Sequence, residues 1–405
     1  MITVISWKNI WRNKLRSGVM LASITIGIFG GVFSWAFTQG MMDQRVKTAI
    51  ENECSYIQLH DTSYMIESDQ KYFMQNINSI KDTILGMQNV EAVSARAIYQ
   101  AMVTSAKTGR GVELTGINPD DEKQVSAIHK RLLEGTYFEN MKRNPILIGE
   151  ELADKLGVKL RSKVVVTLQN TSGVITRDQF RVVGIYKTTN TMYDVMNAFV
   201  RIEDFEKLTG FSSENGHELA VSLKDGSLLD ESLTKIQQKF PDLDVQSWKT
   251  LMPEVSLSSD SLDIFMLFFM IIIMIGLGFA IVNTMLMAIL ERIKELGMLM
   301  AVGMSRFRVF RMILTETTLL SLTGTLVGLI IGIGLILIFS NTGINLGAYG
   351  EGMEAIGYDV IIYPVFAIRM AVFMVAIVLL TATIASIFPA VKALKLNPAE
   401  ALRTE

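Results

Sequence analysis

Side chains that commonly carry chemistry are scattered through this sequence of 405 residues. His60, His129 and His217 lie far apart, and none has a second metal ligand at the spacing of a zinc site. The carboxylates at positions 120–122 form a cluster, but they begin a predicted helix, where the helix dipole favours negative charge. No Ser-His-Asp or Cys-His arrangement stands out. The sequence therefore predicts no catalytic residue and no metal site.

A nucleotide-binding loop is also missing from this sequence. The pattern G-x-x-x-x-G-K-[ST] does not occur, and no Gly is followed directly by Lys. A net charge of -2 without a long basic tract disfavours nucleic-acid binding. Cys54 is the single Cys, so no intrachain disulfide can form, and packing as a small apolar residue is favoured over a reactive thiol. We expect no enzymatic activity and no cofactor in this chain itself.

The most informative stretch is a charged segment between two apolar runs. The run over residues 262–290 carries no charge after Asp263. Four charged residues then follow within five positions: Glu291, Arg292, Lys294 and Glu295. Because charges are costly in lipid and well solvated in water, this boundary predicts a membrane exit. The short helix-like piece that follows, up to Arg311, reads as a cytosolic elbow.

Four apolar runs are long enough to cross a bilayer, which takes about 20 residues at 1.5 Å per residue. They predict an α-helical membrane protein with four transmembrane helices and a large α/β extracytoplasmic domain inserted between helices 1 and 2. The chain is predicted to begin with a cytoplasmic basic amphipathic segment at 1–16, transmembrane helix 1 at 17–40 and the extracytoplasmic domain at 41–261. Transmembrane helix 2 at 262–290, a cytoplasmic elbow helix at 291–311 and transmembrane helix 3 at 312–339 are predicted to follow. A short extracytoplasmic loop at 340–363, transmembrane helix 4 at 364–390 and a cytoplasmic tail at 391–405 complete the predicted order.

Basic residues set the predicted orientation. Segments 1–16 and 291–311 are rich in Lys and Arg, whereas 340–363 contains neither. The positive-inside rule then predicts cytoplasmic termini and an extracytoplasmic domain. A cleaved signal peptide is the alternative, and it is disfavoured because the first apolar run is about 20 residues long and no small-x-small site follows it.

The domain at 41–261 mixes strands and helices. They alternate at first, and strands then cluster in the middle of the domain. This pattern predicts two subdomains, with a strand-rich one at roughly 116–217 inserted into the other.

Two of the apolar runs contain small residues at four-residue spacing. The glycines concerned are Gly27 and Gly31 in helix 1, and Gly324, Gly328 and Gly332 in helix 3. Such faces let helix backbones approach closely in a membrane, and packing within one subunit is favoured here over an assembly interface. Glu316 lies just beyond Arg311, which predicts an interfacial ion pair or local hydrogen bonding rather than a proton relay.

Several motifs, taken together, resemble a known family. They are E-R-x-K-E-L-G-x-x-x-A-x-G from Glu291, P-A-x-x-A-x-x-x-x-P-A-E-A-L-R from Pro389, L-A-x-x-L-G from Leu152, F-R-V-V-G-I from Phe180 and Q-S-W from Gln246. In this order, and with four predicted spans, the chain is similar to the permeases of the MacB, FtsX and LolC/LolE group of ABC transporters. The resemblance covers essentially the whole chain.

The resemblance implies a role for the elbow. In such permeases it is a coupling helix that docks on a separate ATP-binding subunit, present in two copies, which holds ATP and Mg²⁺. A second permease chain, identical or paralogous, completes the assembly. The coupling residues would be Glu291, Arg292, Lys294, Glu295, Leu296 and Gly297, with the charges setting register, Leu296 as anchor and Gly297 allowing close approach. The outer domain would be the family's pair of Porter-like and Sabre-like subdomains.

The entry to the domain is most like that of the LolC/LolE type. It reads G-M-x-x-x-x-V-x-x-A-I from Gly40, followed by Y-I-Q-L from Tyr56. This type extracts lipoproteins from the outer leaflet of the bacterial inner membrane and passes them to a periplasmic carrier. Arg161 and Ser162 depart from the family pattern, which has Gly there, and no motif guarantees a carrier-binding hook. The alternatives are a MacB-like exporter with a periplasmic adaptor and an FtsX-like relay that controls a cell-wall hydrolase.

Overall fold

The structure, a computed structural model, describes residues 7, 12, 14–67, 69–139 and 144–394. Most of the predicted basic segment at 1–16, and the predicted tail from residue 395 onwards, lie outside the described residues. The chain divides into two compact units. The helical unit takes its described residues from Met1–Met41, Ser261–Asn345 and Ile361–Glu405, and the α/β unit comprises Met42–Asp260 and Leu346–Val360.

Within the described residues, four helices are long and apolar enough to cross a membrane. The first, second, third and fourth long helices are Lys14–Thr48, Pro253–Glu291, Arg306–Thr342 and Ile368–Leu394. The second has 39 residues, which at 1.5 Å per residue is about 58 Å and well beyond the hydrocarbon thickness of a bilayer. It starts nine residues before the predicted span because polar residues 253–261 continue the same helix.

One face of the first long helix shows how the helical core is built. Met20, Ile24, Ile28, Val32 and Ala36 recur every four residues and are at most 2% exposed. Side chains at this spacing form a single ridge along a helix, which packs into the grooves of its neighbours. The other long helices contribute to the same core with, among others, Met270, Leu277, Ile281, Val309, Leu320, Met374, Val378 and Ala382.

The elbow between the second and third long helices is short. The elbow helix spans Ile293–Ala301, and the third long helix begins at Arg306. Gly303 turns the chain at φ +100°, in the left-handed region that side chains rarely adopt. The segment predicted as one elbow helix therefore consists of a helix, a glycine turn and the first turns of the next long helix.

The α/β unit is built on one sheet. Its strands are β1 Ile57–Asp61, β2 Val90–Thr104, β3 Gly109–Ile117, β4 Leu132–Gly135, β5 Pro145–Gly149, β6 Lys163–Gln169, β7 Ile175–Tyr186, β8 Asn197–Arg201, β9 Glu218–Leu223 and β10 Leu243–Ser247. Their order is β10-β1-β9-β2-β3-β8-β5-β7-β4, and β6 pairs with β2 and β7. The β3/β8 and β5/β7 pairs are parallel and the others antiparallel.

Helices and a short ribbon complete the described part of the chain. The α/β unit contains helices Tyr64–Glu67, Ile77–Leu85, Pro119–Val125, Glu150–Leu156, Thr191–Met196, Ile202–Thr209, Leu229–Lys239, Trp248–Leu251 and Gly350–Ala355, and a π-helical turn, Ala49–Cys54, follows the first long helix. In the helical unit, Ile344–Asn345 pairs with Ile361–Ile362.

The two largest apolar cores of the α/β unit share this sheet, and strand β2 takes part in both. Val90 and Val93 pack with Leu219 and Trp248, whereas Tyr99 and its neighbours pack with a second set that includes Ile146, Phe180 and Phe205. The strand-rich part thus starts within β2, before the predicted boundary near residue 116. A strand of 15 residues is long enough to serve two cores without a break in the sheet, so no linker marks the change in sequence.

The segment between the third and fourth long helices belongs largely to the α/β unit. The sequence predicts a short loop at 340–363, and residues Leu346–Val360 group with the α/β unit in the structure. Lys187 pairs with Glu354 at 3.5 Å. Gly357, at φ +80°, lies so close to the Arg45 guanidinium that a Cβ there would be 2.8 Å from its Cζ.

Candidate functional site

A buried ion pair fixes the start of the elbow helix. Arg292 donates from Nη1 to both carboxylate oxygens of Glu316, at 3.0 and 3.3 Å. The two side chains are 11% and 10% exposed. The sequence predicts an ion pair or local hydrogen bonding for Glu316 near Arg311, but the cation that it meets comes from the elbow, 24 residues earlier. The pair therefore joins the elbow to the third long helix.

The inner face of the elbow helix is part of the helical core. Leu296 is 5% exposed and packs in that core, and Gly297 beside it is buried. The expected anchor, Leu296, thus points into its own unit and is not available to a partner. Glu291, Lys294 and Glu295 are exposed, and Glu295 pairs with Arg12.

The outer face of the elbow carries apolar side chains that sequence reasoning missed. Met298, Leu299, Val302 and Phe307, which we call the elbow patch, are 56%, 36%, 84% and 71% exposed. Met298 lies about 160° around the helix from the buried Leu296, whereas Leu299 lies about 60° from it, at the edge of the buried face. Val302 and Phe307 come after the end of the elbow helix. The signal in the sequence is an apolar stretch, 298–302, that is too short to span a membrane and has charges before and after it.

The glycines of the third long helix lie against the first. A Cβ built on Gly324 would be 2.9 Å from Cβ of Ile24, and one on Gly328 would be 2.8 Å from the carbonyl oxygen of Thr25. The hydroxyl of Thr25 donates to the carbonyl oxygen of Gly324 at 3.2 Å. Gly332 makes a looser approach, at 3.7 Å from Val32. This face serves packing within the chain.

The glycines of the first long helix face other neighbours. A Cβ on Gly31 would be 2.3 Å from Cε of Met374 and 3.1 Å from Cε of Met270, which are flexible ends of side chains. Gly27 is more open, with its nearest neighbours, Ile273 and Leu277, at 4.0 Å. Gly31 therefore packs against the second and fourth long helices.

Replacing Gly328 by Ala is expected to destabilise the helical unit by about 1 to 3 kcal/mol, because the added methyl group meets backbone that cannot turn aside. The matched control is Gly334→Ala in the same helix, where a Cβ has no neighbour within 4 Å. Thermal unfolding of the detergent-solubilised chain measures both variants. Equal midpoints for the two would contradict the close approach of the helices.

The α/β unit contains a buried charge cluster. Arg96 donates to Glu122 from Nε at 3.1 Å and from Nη2 at 2.6 Å, and to Glu218 from Nη1 at 2.6 Å. Glu122, the last residue of the carboxylate cluster at 120–122, is 1% exposed and therefore buried. Burial alone would raise the pKa of Glu122, but the guanidinium of Arg96 holds that pKa below its ordinary value. The cluster is structural, because its charges are satisfied by one another.

The remaining reactive side chains are packed. Ile98 donates its backbone N–H to Nδ1 of His217 at 3.1 Å, and burial lowers the pKa of His217 to about 4. Cys54 is buried, and desolvation raises the pKa of its thiol to about 12, so the thiol stays protonated. Within the described ranges, no group of three or more His, Cys, Asp or Glu side chains could hold a metal ion.

Family models match most of the sequence. An FtsX-like permease C-terminal model matches residues 267–398, and a MacB-like periplasmic core domain model matches residues 17–239. The first thus ranges from the second long helix to beyond the fourth and includes the elbow. The second includes the first long helix and most of the α/β unit.

Curated relatives align over much of their length. The chain is 26% identical to the lipoprotein-releasing system transmembrane protein LolC of Neisseria meningitidis, over 97% of both chains. It is 24% identical to LolC of Buchnera aphidicola, over 84% of this chain and 83% of the relative. It is 22% identical to the pyoverdine export ATP-binding/permease protein PvdT of Pseudomonas fluorescens, over 99% of this chain and 59% of the relative.

Solved structures give a weaker likeness. The extracellular domain of the transporter YknZ from Gram-positive bacteria matches 47% of this chain and 99% of its own at 12% identity, with a TM-score of 0.34. The periplasmic region of MacB from Actinobacillus actinomycetemcomitans matches 49% of this chain and 91% of its own at 10% identity, with a TM-score of 0.35.

Proposed function

The chain has a MacB-like periplasmic core domain and is an ABC transporter permease of the LolC, MacB and FtsX group, and from this premise we propose that it releases lipoproteins from a membrane. The observation that carries the proposal is the similarity to lipoprotein-releasing LolC proteins over most of the chain. The membrane would be a bacterial inner membrane, with both termini in the cytoplasm and the α/β unit in the periplasm. A periplasmic carrier would receive the cargo.

The energy would come from a partner. The chain has no phosphate-binding loop, so ATP and Mg²⁺ would be held by two copies of a separate ATP-binding subunit. The elbow patch supports this arrangement, since exposed apolar side chains ringed by charges suit a protein interface. Two permease chains, identical or paralogous, would each present one elbow to one ATP-binding subunit.

A cleft in the helical unit suits an acylated cargo. It has a volume of about 560 Å³ and lies between the first, second and fourth long helices. Trp35, Leu267 and Phe373 give it an apolar wall, and Asp263 and Arg369 pair at 3.5 Å at its polar end. An acyl chain would lie along the wall, while its polar headgroup would stay beside the charged pair. Entry from the bilayer between the first and second spans fits this shape.

Filling the cleft is expected to reduce lipoprotein release. Ala367→Trp puts a large ring into the cleft, and we expect roughly a tenfold loss of release with ATP hydrolysis retained, as for a blocked apolar subsite. Ala367 lies directly before the fourth long helix, and the matched control is Ala376→Trp, at an exposed position in that helix. The measurement is transfer of a triacylated lipoprotein from proteoliposomes that contain the permease and its ATP-binding subunit. Equal release by both variants would contradict the assignment of the cleft.

Mass spectrometry of proteins retained by the purified complex tests the cargo class itself. Lipoproteins together with an ATP-binding subunit would support the proposal. A membrane-fusion adaptor without lipoprotein would favour export of a small molecule, the alternative suggested by the likeness to PvdT. A bound cell-wall hydrolase without cargo would favour a signal relay.

A further inference from the structure

A second cleft, in the α/β unit, is lined by more lysines than carboxylates. Its volume is about 640 Å³, within the usual range for ligand sites. We call it the lysine cleft, after Lys47, Lys123, Lys130 and Lys224 in its lining. The entry motif of the domain supplies Val46, Ile50 and Tyr56 to its lining, but none of the family motifs includes its lysines.

The charges in the lysine cleft are only partly compensated. Three carboxylates also line it: Asp43, Glu51 and Glu91. Glu51 pairs with Lys47 at 3.8 Å, and Glu91 accepts a hydrogen bond from the hydroxyl of Ser222 at 3.3 Å. Among the described residues, no ion pair joins Lys123, Lys130 or Lys224 to a carboxylate. Lys123 Nζ lies over the ring of Tyr137, 5.4 Å from its centroid, but this contact brings no negative charge. The lysines therefore favour an anionic ligand, and the carboxylates suit one that also carries hydroxyl donors.

Ser55 gives an independent sign of a missing ligand. It lines the cleft and is 3% exposed, and its hydroxyl makes no hydrogen bond within the described part of the chain. Buried hydroxyls almost always have a partner, because an unpaired one is costly. The backbone φ of Ser55 is +65°, a positive value that residues other than glycine rarely adopt. A ligand oxygen in the cleft would accept the missing hydrogen bond.

Two of the residues that line the cleft lie on helices that continue into predicted membrane spans. Lys47 follows Gly40, the predicted end of the first span, by seven residues of one continuous helix, or about 10 Å. Ser259, also in the lining, lies three residues before the predicted second span in another continuous helix. Lys47 therefore lies a few Å beyond the headgroup layer, which is about 5 to 8 Å thick, and a flexible lysine side chain can reach back to that layer.

We propose that the lysine cleft binds the headgroup of an anionic phospholipid of the adjoining leaflet. The phosphate lies among Lys123, Lys130 and Lys224 and accepts the hydroxyl of Ser55, and glycerol hydroxyls donate to the carboxylates. Phosphatidylglycerol has both groups. The proposal needs only that the α/β unit adjoin a bilayer and does not depend on a lipoprotein cargo.

Calorimetric titration of short-chain phosphatidylglycerol into the full detergent-solubilised chain tests this site. Replacing Lys123, Lys130 and Lys224 by Gln should weaken binding on the order of 100-fold, since each lysine near an anionic headgroup contributes about fivefold. Ser55→Gly keeps the positive φ, removes the hydroxyl and should also weaken binding. The matched control replaces Lys107, Lys159 and Lys163, exposed lysines of the same unit outside the cleft, and should bind as the unmodified chain does.

Two further ligands complete the test. Short-chain phosphatidylcholine should bind at least about tenfold more weakly than phosphatidylglycerol if the lysines recognise net charge. Inorganic phosphate that binds as tightly as phosphatidylglycerol would overturn the lipid assignment in favour of a free anion. Equal phosphatidylglycerol binding by the lysine variant and its control would overturn the site.

Discussion

The change Val302→Asp is expected to separate this permease from the ATP-binding subunit proposed above, while the chain stays folded. Val302 is 84% exposed in the elbow patch, so the substitution removes no internal packing. In a docked complex the new carboxylate would be buried without a partner. Losses at such interface positions reach about 2 kcal/mol or more, which is roughly a 30-fold weaker complex. Binding of the ATP-binding subunit to the chain in nanodiscs, and stimulation of its ATPase activity, measure the effect.

A valine elsewhere serves as the control for the elbow patch. Val174, in the β6–β7 turn of the α/β unit, is 58% exposed, and Val174→Asp makes the same chemical change far along the chain from the elbow. It should leave ATPase stimulation unchanged. If Val302→Asp bound the subunit as tightly as Val174→Asp did, the elbow patch would not be the docking surface.

The change Glu316→Ala is expected to destabilise the helical unit by about 3 to 5 kcal/mol. It removes one partner of a buried ion pair and takes away the carboxylate that the guanidinium of Arg292 binds. Arg292→Met combined with Glu316→Leu should recover most of the loss, because two apolar side chains carry no desolvation cost. Unfolding of the detergent-solubilised single and double variants gives the coupling energy.

The control for this ion pair is Lys294→Met, which removes an exposed charge from the same elbow helix and should change stability little. A double variant no more stable than Glu316→Ala alone would mean that the pair is not the source of the effect. The two predictions for the elbow are also separable. Val302→Asp should weaken binding of the partner without unfolding the chain, whereas Glu316→Ala should lower the stability of the fold.

The four-span architecture and the family were predictable from the sequence, and both predictions are confirmed. Apolar runs of about 20 residues have no other common explanation, and the elbow motif stands where the FtsX-like model matches. Helix ends were less predictable. The second long helix begins at Pro253 because a helix needs no apolar residues once it leaves the bilayer.

The sequence could not reveal which side of the elbow helix faces outwards. Leu296 and Leu299 are equally apolar, yet one packs in the core and the other is exposed. Burial depends on the direction in which the helix leaves Arg292, and the partner Glu316 is 24 residues away. The burial of Glu122 was missed for the same reason, since Glu122 is in a helix and its partner Arg96 is in strand β2, 26 residues earlier. Long-range pairs of this kind leave no local pattern.

The path of the chain between the two units has a practical consequence for work on the outer domain alone. The chain passes from one unit to the other four times, because Leu346–Val360 returns to the α/β unit. A soluble fragment cut at 42 and 260 would lose that segment, and with it Gly357, which lies against Arg45, and Glu354, which pairs with Lys187. The surface that this segment covers in the full chain would then be exposed, and a binding assay could report it as an interaction site. Adding residues 346–360 through a short linker would give a more faithful domain.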